Sequence, residues 1–251
     1  YSRAANVIGK IISRNHKYRD EFVIIGAHFD HLGYGGPGSG SLKPDTNAVH
    51  NGANDNASGT SGLLELAHKL QANRKLLKRS ILFIAFDAEE KGLLGSKYFV
   101  QNPTINIKNV SAMINMDMIC RMKDSSVTVG GIGTSPLFEP LIDSLKVDRS
   151  FNLSISSQGF GPSDHASFYT ENIPVLFFFS GVHDDYHTPQ DTWKHINLQG
   201  TTDIVNLVYD VAYHLTCLLY TSPSPRDKRH RVFRLLVEKK KGGGGGGGGG
   251  G

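Results

Sequence analysis

The chain has 251 residues, 39% hydrophobic and 20% charged, enough for one large core or two modest ones. Its net charge is +4, yet residues 217–251 carry eight Lys or Arg against two acids, which leaves residues 1–216 at −2 and implies no basic groove for nucleic acid. No stretch is long and apolar enough to span a bilayer, and two cysteines, Cys120 and Cys217, rule out a disulfide framework.

The chain opens on "YSRAANVIGKIIS", without Met and already near a strand pattern, and reads as an N-terminally truncated fragment in which a missing signal segment carries no meaning. Apolar, β-branched runs predict strands at 6–12, 22–29 ("FVIIGAHF"), 81–86 ("ILFIAF"), 112–119, 126–131 and 173–179. Their near-continuous hydrophobicity predicts cover on both faces. Between them, residues 59–73 space Leu63, Leu66, Ala67 and Leu70 at helical intervals, and further helices are predicted at 135–145, interrupted by Pro140, at 163–172 and at 201–216. Strands alternating with helices predict an α/β fold: a mixed, largely parallel central sheet with helices on both faces. Residues 33–59 form a long Gly-rich loop ending in Asp55 just before a helix start, a placement that favours function. Past the helix, "CLLYTSPSPRD" (217–227) reverse-translates, with permitted codons, to a string resembling a transposase adaptor. With the ten closing glycines, it leads us to expect a catalytic domain over 1–216 and a non-native tail over 217–251.

In open α/β sheets ligands bind at the carboxyl ends of strands. Those ends carry His28, Asp30 and His31; Asp87, Glu89 and Glu90; Asp117; and His183, Asp184, Asp185 and His187, with Asp55 supplied by the loop. Adjacent carboxylates such as Glu89 and Glu90 beside a core make sense if a cation sits there or if one of them holds a proton. Imidazole and carboxylate suit zinc or a similar divalent ion, and two ions could share one bridging carboxylate. Singly, each residue has an ordinary explanation: Asp55 as a helix cap, Glu89 and Glu90 as a solvated helix start. His31, His50, His183 and Asp184 read as residues lining the site, His68 and His214 as packing or surface residues, and Trp193 with Phe177 to Phe179 as core.

Taken in order, "AHFDH", "NGANDNASG", "FDAEEKGLLGS", "NMDMI", "GPSDHASF" and "DYHTPQDT" resemble the M28 zinc aminopeptidases over residues 5–216. The resemblance implies the zinc-exopeptidase sandwich and two zinc ions bridged by Asp55, with His28 and Asp117 completing one site and Glu90 and His187 the other. It implies a hydroxide shared by the ions as nucleophile, Glu89 as general base, and Tyr186 as a stabiliser of the tetrahedral oxyanion. Asp30 would orient His28, and Asp191 would orient His187. A cis peptide after Asp55 is implied as well. Asp164 and His165 match a motif near the pocket, without a ligand role. The implied substrates are peptides with a free N-terminus, and the implied location is extracytoplasmic or secreted. Cys120 departs from the family, which usually has Gly there, and is expected to be tolerated. Two rivals remain: a glutaminyl-cyclase-like acyltransferase with one zinc, and a non-catalytic receptor-like module. Two, one or no bound ions would separate the three.

Overall fold

Seven strands form one sheet in the order β1-β3-β2-β4-β7-β5-β6. They are β1 (Val7–Ile11), β2 (Phe22–His28), β3 (Ser80–Phe86), β4 (Val110–Met116), β5 (Ser126–Gly130), β6 (Asn152–Ile155) and β7 (Val175–Phe179). The computed structural model describes residues 4–147 and 149–217; the expected tail lies, beyond Cys217, outside them. The central run β3-β2-β4-β7 is parallel, whereas β1 joins β3 and β5 joins β7 antiparallel. The sheet is therefore mixed and largely parallel, as the sequence predicts.

The helices are α1 (Gly59–Ala72), α2 (Leu94–Gln101), α3 (Phe138–Lys146), α4 (His165–Thr170) and α5 (Leu198–Cys217). On one face Leu63, Leu66 and Leu70 of α1, Ile142 of α3 and Leu207 and Val211 of α5 share one core with Val23, Ile25 and Ala27 of β2. On the other, Phe99 of α2 and Phe168 of α4 pack on Phe22 and Ile24. Alternate residues of β2 thus feed opposite cores, which is why the strand is apolar throughout. No helix among the described residues is long and apolar enough to cross a membrane.

Four expectations need correction. β1 is an exposed edge strand with Val7 and Ile8 facing solvent, because no element among the described residues covers its outer side. Pro140 does not interrupt α3; it sits in the first turn, where an N–H has no partner to lose. Trp193 is 74% exposed rather than core, and of Phe177 to Phe179 only Phe178 is fully buried. α2 and β6 were not expected at all: α2 begins abruptly after the left-handed Leu93, and β6 is short and largely exposed, so neither carries the apolar run that marks its neighbours.

Candidate metal centre

The parallel strands point their carboxyl ends at one place. β2 ends in His28, and Asp117 follows β4 directly. The turn after β3 carries Glu89 and Glu90, whose backbone N–H groups donate to Asp30 Oδ1 and Oδ2 at 2.9 and 3.2 Å. Asp30 therefore does more than orient His28: its carboxylate fixes the turn, while its own carbonyl lies 3.2 Å from His28 Nδ1.

Asp55 is placed by a buried polar lattice. Asn56 Oδ1 accepts the N–H groups of Gly59 and Met118, its Nδ2 donates to Met116 O, and Asn54 Oδ1 accepts from Cys120 N. These bonds stitch the segment before α1 to the end of β4, bringing Asp55 beside Asp117. The approach requires glycine at 59, since a Cβ there would collide with Asn56 Oδ1 and Met116 O. The Asp55–Asn56 peptide is cis, as the resemblance implies.

Asp55 stands in the middle. Its Oδ1 is 3.3 Å from His28 Nε2, which is also 3.4 Å from Asp117 Oδ1. Its Oδ2 is 3.1 Å from His187 Nε2, which is also 3.2 Å from Glu90 Oε2. Donors about 2.0–2.1 Å from a tetrahedral zinc lie about 3.3 Å from one another, so these separations match ligand spacing. The imidazole tautomers agree. His28 Nδ1 faces Asp30 O, and His187 Nδ1 faces Gly40 O at 3.0 Å. A carbonyl can only accept, so each Nδ1 carries a hydrogen, and each Nε2, once deprotonated, turns a lone pair toward carboxylates. That arrangement is repulsive unless a cation sits between them, and a divalent metal fits.

Protonation shows the same demand. Burial disfavours charge on His28, yet Asp117, Asp30 and Asp55 outweigh it and hold its pKa well above the ordinary imidazole value. His187, against the same cost of burial, is raised to about 10 by Asp55 and Glu90. Asp55 and Glu90 are lowered, the imidazoles outweighing burial. Burial pushes Glu89 up to about 9. In the metal-free chain protons thus take the cation's place. At pH 7, loading zinc is expected to release about two protons per chain, read as a buffer-dependent heat. Apparent zinc affinity then rises with pH toward the raised imidazole values; no proton release would mean that these imidazoles are already neutral in the metal-free chain. The sign for stability is opposite. His187 binds its proton more tightly folded than unfolded, so its contribution to the metal-free chain is full below about 6.5 and fades as pH climbs toward about 10.

The other predicted residues fall as follows. Tyr186 stacks on His187, ring centroids 3.8 Å apart, and burial raises its phenol pKa, so the hydroxyl stays protonated. Asp191 does not orient His187, a correction: its Oδ2 accepts the N–H groups of Asn54 and Asp55 at 2.8 and 3.1 Å, and Gly40 on the long loop holds His187 instead. Gly40 presents that carbonyl at φ +96, a conformation that favours glycine. Asp164 is fully buried, and burial pushes it up to about 7. Cys120 is buried with its thiol pushed up to about 12 by burial, and its Sγ lies 3.8 Å from Ala53 O, so it stays a neutral packing residue. His31, expected only to line the site, comes closer: its Nδ1 lies 2.7 Å from Glu90 Oε1 and 3.9 Å from Asp55 Oδ2, so that His31, Asp55 and Glu90 are also grouped closely enough to hold an ion. Its signal was a second imidazole at the same strand end in "AHFDH".

Fold and site together define an α/β protein whose His and carboxylate side chains, gathered at the carboxyl ends of the parallel strands, could hold a metal ion. The chain belongs to peptidase family M28, whose model matches residues 6–212. It is 32% identical over 218 residues to aminopeptidase YwaD of Bacillus subtilis (strain 168), a match covering 83% of this chain and 44% of that protein. It is 30% identical over 167 residues to leupeptin-inactivating enzyme 1 of Streptomyces exfoliatus, covering 66% and 36% respectively. A zinc aminopeptidase structure from Bacillus subtilis superposes with a TM-score of 0.68 at 28% identity, covering 86% of this chain and 51% of that one. The LapA aminopeptidase of Legionella pneumophila gives 0.66 at 26%, covering 85% and 59%. The chain spans about half the length, or less, of these curated relatives.

Proposed function

We propose that this chain is the catalytic core of a zinc-dependent aminopeptidase with two metal sites, His28, Asp55 and Asp117 serving one ion and Asp55, Glu90 and His187 the other. The observation that carries the reading is Asp55, whose two carboxylate oxygens face two different imidazole–carboxylate pairs. The aminopeptidase names of the relatives support it. Zinc, when bound, supplies Lewis acidity that polarises a carbonyl and makes water nucleophilic at neutral pH.

The chain's own residues do the rest. Glu89 accepts the proton of the attacking water on its carboxylate and passes it to the departing amine, so that a C–O bond forms as the C–N bond breaks. Burial favours its protonated form in the metal-free chain, and nearby cations would favour the carboxylate that a general base requires. Tyr186 keeps its hydroxyl hydrogen and donates a hydrogen bond through it to the oxyanion as charge develops. An extracytoplasmic location belongs to the same reading, resting on the resemblance of "DYHTPQDT" to exported relatives.

A panel of aminoacyl-coumarins, each with its N-acetylated counterpart, tests the function while zinc is counted. Two ions per chain and cleavage only where the amine is free are expected. One ion with cyclisation of N-terminal Gln would favour the cyclase alternative, and an inert, metal-free protein the receptor-like one.

A further inference from the structure

Arg121 follows the end of β4 and reaches two acids of the 183–191 segment. Its Nη2 lies 3.1 Å from Asp185 Oδ2 and 3.0 Å from Asp191 Oδ1. Its backbone N–H donates to Ser180 Oγ at 3.2 Å, which anchors it beside β7. Asp191 is fully buried, and the oxygen that does not meet Arg121 takes the backbone N–H groups of Asn54 and Asp55. A buried carboxylate is tolerated where a cation and hydrogen bonds compensate it, and here Arg121 is that cation. Removing it leaves a buried carboxylate without its cation, and a shift of that carboxylate loosens its grip on the Asp55 amide. The same guanidinium ties the segment carrying Tyr186 and His187 to the strand end carrying Asp117.

We propose that Arg121 is a positioning residue for the bridging carboxylate: acting through Asp191, it holds the backbone of Asp55 and keeps the segments of both metal sites in register. The metal readout below rests on the proposed function; the exchange readout does not.

The test uses the full chain with Arg121→Met, Arg121→Lys and, as a control, Arg149→Met, which breaks an ion pair with Asp210 of α5. Amide hydrogen exchange over residues 52–58 is followed in the metal-free proteins, and zinc affinity is measured by competition with a chelator. Arg121→Met should speed exchange at Asn54 and Asp55 and weaken zinc about 10- to 100-fold, the usual loss for an outer-shell partner. Arg121→Lys should fall in between, since its ammonium keeps the charge but sits on a shorter, more flexible stem without the planar fork. Arg149→Met should change neither quantity, whatever it does to Tm. Wild-type exchange and affinity in both Arg121 variants would overturn the proposal, as would equal losses in Arg149→Met, which would mark the effect as one of general stability. Should Arg121→Met fail to fold, Arg121→Lys decides alone on the same two readouts. If the unsubstituted chain binds no zinc, the proposed function fails while the exchange comparison still decides the role of Arg121.

Discussion

Glu89→Gln is expected to leave zinc content intact while kcat falls on the order of 100-fold or more, the loss typical of removing a general base. The amide has the shape of the carboxylate and can still hydrogen-bond the attacking water, but it cannot accept the proton. The backbone should not move, because the N–H of residue 89 stays bonded to Asp30 Oδ1. The carboxyl is half-buried, and burial disfavours its charge, so the neutral substitute fits the site without a new desolvation cost. Zinc counted per chain beside kcat and KM separates the possibilities. Near-normal kcat would remove Glu89 from the chemistry, and loss of zinc together with turnover would make it a ligand instead. KM should change little, since the interaction being lost is stronger in the transition state than in the ground state.

Much of this architecture was legible because buried parallel strands announce themselves. β2 and β3 are continuous apolar runs ending in a polar residue or a polar turn, and the polar residues at such ends are where chemistry gathers. Segments half in solvent were not legible. Nothing local in "NLSI" distinguishes β6 from a loop, and Val7 and Ile8 look buried by composition although no layer covers them. The donors themselves were readable by type and order, while the groups that aim them were not. Gly40 meets His187 across 147 residues, and Asp191 meets Asp55 across 136. Partners so remote leave no periodicity in the sequence. Sequence proximity points Asp191 at its near neighbour His187, whereas the fold delivers it to a backbone amide far away in the chain.

Asp55→Ala is expected to abolish binding of both ions together, with affinity falling by more than the roughly 100-fold seen when an outer-shell partner is lost. The reason is the shared position: Oδ1 serves the His28 and Asp117 side, Oδ2 the His187 and Glu90 side. His187→Ala and His28→Ala each remove a donor from one side only, so each should retain one ion more tightly than Asp55→Ala retains either. Thermal unfolding reports the same difference, because a ligand that binds only the folded chain raises Tm in proportion to occupancy and affinity. Added zinc should therefore raise Tm most in the unsubstituted chain, less in the two His variants and hardly at all in Asp55→Ala. A second signature comes from acid. Asp55 has a lowered pKa in the folded chain, so its contribution to the metal-free protein is present above about 3.8 and disappears as pH falls through the folded value. The stability gap between metal-free wild type and Asp55→Ala should be full at pH 7 and close on acidification. Two ions retained by Asp55→Ala would mean that the sites do not share this carboxylate. A gap that persisted in acid would mean that Asp55 acts through packing and not through its charge.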